Sequence, residues 1–248
     1  NVTYESLRVF QLAMPFCFEC KSFVPGLIEI CPECNTPYPK ISSPVKGLWE
    51  YENFTLQQHK DILTKFPLFL QKINPARVLE IGTGHGGFSL FLRNSLNEIG
   101  VSEVPIKSFD VIERECYDAL RSHGVEVSVQ NLFDSSYSEL EERELIETYV
   151  QSPGISLVLC DGGNKKMEFN ILSALLKEGD FIMAHDYAPD LQYFNERIKG
   201  KRWDWFQIED SHIEEACKAN NLVSFKEINF TDLVWVCKYK EKSERSAP

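Results

Sequence analysis

The chain lacks any apolar run approaching the roughly 18 residues that span a bilayer, and no basic-then-apolar leader opens it. Those two absences predict a soluble, cytoplasmic protein with no membrane partner. Positive charge is also short: 26 Lys and Arg stand against 37 Asp and Glu, a formal net charge of −11. Such a balance disfavours sequence-independent grip on a phosphate backbone, so bulk nucleic acid is not the expected partner. The chain opens at Asn1 and not at Met, which reads as a processed product or a piece of something longer. With 43% apolar residues in 248, it has material for one large domain plus an appendage.

Eight cysteines are present, four clustered near the start and four scattered at Cys116, Cys160, Cys217 and Cys237. Cys17-Phe18-Glu19-Cys20 and Cys31-Pro32-Glu33-Cys34 are two C-x-x-C pairs. Each pair suits a tight knuckle around one side of a tetrahedral ion, and two knuckles give the four thiolates of a closed structural zinc site. A closed site has no position for substrate, so this metal is expected to fold the segment and not to catalyse. Arg8, Lys21, Lys40 and Lys46 balance Glu5, Glu19, Glu29 and Glu33, which points to docking a protein or bracing the rest of the chain. Pro37, Pro39 and Pro44 then read as a linker. The expected division is a zinc ribbon and linker over 1–46, a main domain over 47–240 and a polar tail over 241–248.

The main domain alternates. Leu56 to Leu70 carries apolar residues near helical spacing, and Asn74-Pro75 stops it. Apolar runs read as strands at Val78 to Ile81, Ile106 to Ile112, Glu126 to Val129, Ile155 to Cys160 and Phe181 to Ala184. Helical patterns fall between them, at Gly87 to Ile99, Cys116 to His123, Ser138 to Val150 and Glu168 to Leu176. Two further strands, Phe225 to Asn229 and Leu233 to Lys238, lack a helix between them and are expected to form an antiparallel hairpin at one edge. The prediction is an α/β fold: a Rossmann-like, doubly wound, mostly parallel seven-stranded sheet with an antiparallel C-terminal hairpin, plus the small zinc ribbon. Ligands in such sheets bind beyond the carboxyl ends of the strands.

The run Val78-Leu79-Glu80-Ile81-Gly82-Thr83-Gly84-His85-Gly86-Gly87, the acid-bearing strand ending Phe109-Asp110, the strand Ile155 to Cys160 followed by Asp161-Gly162-Gly163, and the terminal strand pair resemble a class I S-adenosylmethionine-dependent methyltransferase over about residues 56 to 240. Glu80 to Gly87 and Ala184-His185-Asp186 look most like its cephalosporin-hydroxylase-like and sugar or catechol-type O-methyltransferase branches. The resemblance implies S-adenosylmethionine as cofactor. Gly82, Gly84 and Gly86 let the backbone approach a ligand with no Cβ in the way. Glu80 would repel a dinucleotide pyrophosphate and attract the methionyl ammonium. Asp110 is placed to accept both ribose hydroxyls, with Glu113 as its rival. In the resembling family the third strand is followed by the adenine contacts, here Asn131 or Asp134 with Leu132 or Phe133 over the ring; a plain capping loop is the alternative.

Asp161 and Asp186 follow neighbouring strands, and two hard carboxylates there suit Mg²⁺ holding two oxygens of a diol. The alternative is that Asp161 contacts cofactor and Asp186 caps a turn. Lys165 is a candidate base toward the acceptor hydroxyl. His185 stands where the resembling enzymes carry an acid or amide, a poor Mg²⁺ ligand but a reasonable general base. Asn164 and Asn170 are further oxygen candidates. Lys199, Lys201 and Arg202 beside Trp203, Trp205 and Phe206 suit a planar or anionic acceptor, or else a helix with packed aromatics and solvated charges. Three readings follow. The first is O-methylation of a hydroxylated small molecule or glycan. The second is an RNA or protein methyltransferase docking through the ribbon, and the third a scaffold that keeps the fold without catalysis.

Overall fold

The computed structural model describes residues 48–242. The zinc-ribbon expectation at Cys17, Cys20, Cys31 and Cys34, the linker, and residues 243–248 of the expected tail lie outside the described residues. No helix among the described residues is long and apolar enough to cross a membrane.

The described chain opens with a hairpin in which β1 (Leu48–Tyr51) pairs antiparallel with β2 (Phe54–Gln57). Tyr51 faces Phe54 across a two-residue turn, and both turn residues, Glu52 and Asn53, take positive φ (48° and 69°), the twist such a turn requires. This corrects the helix expected from Leu56. Leu56 is a fully buried strand residue, and α1 runs Ile62–Ile73. Leu56 stands six residues ahead of Ile62, outside any i, i+3 or i+4 step, and its partner in period is Phe54. The stop at Asn74 is as expected: it adopts the left-handed conformation (φ 46°) and its N–H reaches the Leu70 carbonyl.

Seven strands form the sheet: β3 (Arg77–Ile81), β4 (Ile106–Asp110), β5 (Val125–Val129), β6 (Ser156–Cys160), β7 (Phe181–Ala184), β8 (Leu222–Ser224) and β9 (Val236–Lys240), in the order β5-β4-β3-β6-β7-β9-β8. β3 to β7 are mutually parallel, and β9 runs antiparallel between β7 and β8. The helices between them are α2 (Gly87–Glu98), α3 (Tyr117–Ser122), α4 (Arg143–Gln151) and α5 (Lys165–Ser173). After β7 come α6 (Leu191–Tyr193), running into a π-turn at Phe194–Ile198, and α7 (Asp210–Ala219). The expected terminal hairpin is present with different bounds, and its second strand is interior to the sheet. Phe225 was expected to open a strand and Phe230 to begin the turn after it. Both lie in the connection to β9 and pack edge-on against Phe69 of α1, with ring centroids 5.4 and 5.0 Å away.

Period-two alternation divides the strands between two cores. Val78, Leu157, Leu159, Phe181 and Met183 face one, shared with Phe66 and Phe69 of α1, Phe88 of α2 and Leu120 of α3. Leu79, Ile81, Val158, Cys160 and Ile182 face the other, shared with Ile146 of α4, Phe169 of α5 and Ile213 of α7. Burial on both faces is why β6 and β7 read as nearly continuous apolar runs, whereas β3 carries Arg77 and Glu80 as buried charged groups among its apolar residues.

Candidate functional site

Register alone assembles the site. Ile81 pairs with Phe109 on one side and with Cys160 on the other, and Cys160 pairs with Ala184. The next residues therefore stand side by side at the carboxyl ends of the strands: Asp110, still paired with Val129, then Gly82, Asp161 and His185. The backbone extends the pairing by one step, with Gly82 N–H donating to the Phe109 carbonyl (2.8 Å), Asp161 N–H to Ile81 (2.9 Å) and His185 N–H to Cys160 (3.0 Å). A parallel sheet makes this row from residues up to about a hundred positions apart, because strands that run together also end together.

Gly82 is at φ +91°, and a Cβ there would sit 2.2 Å from the Asp161 carbonyl oxygen, so no larger residue fits. Gly84, at φ +55°, has nothing within 4 Å of its Cβ position and faces open space. Its N–H donates to Asp110 Oδ2 (2.7 Å) and its carbonyl accepts from Tyr117 Oη (3.1 Å). The turn is thus braced by the very carboxylate that sequence placed at the ribose. Gly86 (φ +78°) leads into α2.

Glu80 is fully buried beneath the turn. Ser89 and Ser108 hydroxyls both donate to Oε2, the Ser89 bond at 2.6 Å, while Oε1 has no partner. Burial raises its pKa to about 7, against the pull of the two hydroxyls. An orphaned carboxylate oxygen beside an open glycine turn fits a cationic ligand group. His85 in the same turn leaves a buried Nε2 without a partner, and its pKa falls to about 4, first through burial and then through Arg114.

Beyond β4 and β5 the structure departs from the expected adenine contacts. Leu132 and Phe133 are buried in the second core. Asn131 accepts from Phe133 N–H through Oδ1 (3.2 Å), and the Asp134 carboxylate accepts from the N–H groups of Ser136, Ser138 and Glu139 and from the Ser136 hydroxyl. Those bonds hold Asp134 well below the usual carboxylate range. These bonds close a local turn and do not cap a helix either, since α4 starts only at Arg143, after Glu142. The apolar surface at this edge comes from Val111, Ile112 and Val129, which are 60%, 40% and 37% exposed. Exposed aliphatic residues directly after a strand-end acid were the available signal.

At the ends of β6 and β7, Asp161, His185 and Asp186 bring one ligand atom each within 4.8 Å of one another. Lys165, 5% exposed, lies among them, its Nζ 3.0 Å from Asp186 Oδ2 and 3.5 Å from Asp161 Oδ1. Nζ also donates to the Gly162 carbonyl (2.8 Å) and to Gln207 Oε1 (3.2 Å). Burial works to lower the Lys165 pKa, but Asp186 and Asp161 outweigh it and raise it, so the ammonium keeps its proton. That is opposite to what the expected base role requires. Asp186 takes φ +54°, and Trp203 Nε1 donates to its Oδ1 (2.7 Å). His185 lies between Trp235 and Trp203, with ring centroids 4.8 and 5.1 Å away. Its Nδ1 faces Asp161 Oδ1 (3.1 Å), which assigns the proton to Nδ1, and its Nε2 is buried without a partner.

Sequence reasoning missed three groups here. Gln58, just past β2, donates through Nε2 to Asp161 Oδ2 (2.8 Å) and accepts at Oε1 from Trp235 Nε1 (2.8 Å). Glu168 accepts from Gly162 and Asn164 N–H groups (3.1 and 2.8 Å), pinning the loop that delivers Lys165, and burial raises its pKa to about 7. Gln207 completes the shell around Nζ. Asn164 spends its oxygen on capping α5 through Met167 N–H, while Asn170 donates to the His212 carbonyl and leaves its buried Oδ1 without a partner. Trp203 and Trp205 are buried, and of the three cations expected beside them Lys201 and Arg202, but not Lys199, line a cavity of about 550 Å³ together with Arg197, His59, Tyr193 and Asp232.

No family model and no curated protein sequence matches the chain. Among solved structures it is similar to one described as "CmcI-N160 apo-structure", with a TM-score of 0.55 and 14% identity, covering 79% of this chain and 77% of that chain. A second, described as "cmcI-D160 Mg-SAM", gives a TM-score of 0.51 and 15% identity, covering 87% of this chain and 88% of that chain. The likeness establishes a shared fold, a Rossmann-like α/β sheet.

Proposed function

We propose that the chain is an S-adenosylmethionine-dependent O-methyltransferase acting on a hydroxylated small molecule or glycan. The observation that carries it is the row Asp110, Gly82, Asp161 and His185, which sets a cofactor cradle and a carboxylate–imidazole cluster on one sheet edge. The similar "cmcI-D160 Mg-SAM" structure is described with this cofactor on the same fold. Asp110 takes the ribose hydroxyls, the unpartnered Oε1 of Glu80 answers the methionyl ammonium, and Val111, Ile112 and Val129 offer the adenine a flat apolar surface.

When bound, the cofactor supplies an electrophilic methyl group on a sulfonium, so the protein's work is alignment and proton removal. Asp161 is the one member of the cluster with appreciable exposure, 16% of its side chain. Its carboxylate would take up the proton that the acceptor hydroxyl gives up when it is methylated. Gln58 and His185 hold that carboxylate in place, and Lys165 and Asp186 fix the charge behind it. The cavity lined by Arg197, Lys201 and Arg202 suits an acceptor with an anionic group. Its walls include His59 and Arg202, next in sequence to Gln58 and Trp203, which grip Asp161 and Asp186. The two C-x-x-C pairs are proposed as a structural zinc ribbon that docks a protein, tested by zinc content per chain before and after Cys17→Ser.

The test of the main reading is calorimetric titration with S-adenosylhomocysteine, with Asp110→Ala as the paired control. Saturable binding that the variant loses supports it. Absence of heat and of any thermal shift in the wild-type protein would sink it.

A further inference from the structure

Each of the four carboxylate oxygens at the ends of β6 and β7 faces an N–H donor of the protein's own. Asp161 Oδ2 accepts from Gln58 (2.8 Å), and Asp161 Oδ1 faces His185 Nδ1 (3.1 Å) and Lys165 Nζ (3.5 Å). Asp186 Oδ2 pairs with Lys165 Nζ (3.0 Å), and Asp186 Oδ1 accepts from Trp203 Nε1 (2.7 Å). Seen from the ammonium, the shell is four oxygens: two carboxylates, the Gly162 carbonyl and the Gln207 amide. Oxygen donors converging from four directions on one buried positive centre are what a hard divalent cation would seek, and here the centre is a side chain.

We infer that Lys165 is a built-in cation standing where a divalent ion would otherwise bridge Asp161 and Asp186, so that this centre is assembled without a metal. The donor set does not fit Mg²⁺ as arranged. A second positive ion would share the carboxylates with the ammonium at close range in a buried site, and both indole and amide donors would have to leave. His185, with its Nδ1 turned to the carboxylates and its ring held between two indoles, adds no oxygen ligand. The covalent tether explains the Gly162 to Asn164 loop. Glu168 fixes two of its N–H groups, and the loop then starts α5 at Lys165, so the ammonium is delivered at a set height above the sheet. The functional consequence, methyl transfer without added divalent ion, rests on the reading given above. The occupancy itself does not.

The test uses the full chain and Mn²⁺ as probe, with free ion followed by electron paramagnetic resonance, so that no chelator touches the cysteine-rich segment. Wild type is expected to show no site that Asp186→Asn removes. Lys165→Ala, with the cation gone and the carboxylates left facing each other, is expected to gain one Mn²⁺ per chain, about tenfold tighter or more than anything in wild type. Adding Asp186→Asn to that variant should abolish the gain. One tight Mn²⁺ in wild type that Asp186→Asn abolishes overturns the inference, whether or not Lys165→Ala folds. S-adenosylhomocysteine titration of wild type with and without Mn²⁺ keeps the two questions apart. No cofactor binding under either condition defeats the methyltransferase reading alone, whereas cofactor binding that requires Mn²⁺ defeats the built-in cation.

Discussion

Glu80→Gln gives the sharpest check on the physics of the glycine turn. Glu80 is completely buried, its Oε1 is unpartnered, and its pKa is raised from 4.5 to about 7. Between those values the folded chain holds a proton that the unfolded chain has released, so stability falls as pH rises through that window. A displacement of this size corresponds to about 3 kcal/mol in full, of which roughly 2 to 3 kcal/mol is lost between pH 5 and pH 8. Gln keeps an oxygen for the Ser89 and Ser108 hydroxyls and never ionises. Urea unfolding of both proteins from pH 5 to pH 8 should therefore give stabilities within about 1 kcal/mol at pH 5. By pH 8 the variant should lead by roughly 2 to 3 kcal/mol. A difference that stays constant with pH would refute the reasoning, since it would mean that the two hydroxyls fully offset burial and the carboxylate is ionised at its ordinary pKa.

Gly82→Ala and Gly84→Ala should separate folding from binding. The first puts a Cβ against the Asp161 carbonyl in left-handed backbone and should cost about 3 kcal/mol or more in chemical denaturation. The second meets nothing and should cost about 1 kcal/mol, yet lose S-adenosylhomocysteine binding in calorimetry. Trp203→Phe keeps most of a fully buried ring but removes the donor to Asp186 Oδ1, and should cost about 1 to 3 kcal/mol in the same denaturation assay. Arg197 carries no hydrogen bond or ion pair among the described residues and lines the basic cavity. Arg197→Glu should therefore leave the melting temperature within a degree or two, on the order of a surface substitution, while raising the KM of an anionic acceptor several-fold with little change in affinity for the cofactor.

The sequence by itself determined what local chemistry fixes. Nearly continuous apolar runs marked β6 and β7 because strands covered on both faces carry no polar side, and β3 was legible from Val78, Leu79 and Ile81 around Glu80. Gly82 and Gly84 announced a turn at positive φ, and Asp110, Asp161 and Asp186 stood out as acids set at the ends of such runs. Tertiary structure alone decided which of these groups meet. Gln58 reaches Asp161 across 103 positions and Trp235 across 177, and neither pairing leaves a trace in local periodicity. The insertion of β9 between β7 and β8 and the burial of Leu132 and Phe133 likewise follow from which faces of the sheet the rest of the chain covers. Lys165 makes the point most clearly. Its position four residues after an aspartate suggested a base, but two carboxylates from different strands close on the ammonium and hold its proton, because a buried charge takes its properties from whatever the fold packs around it.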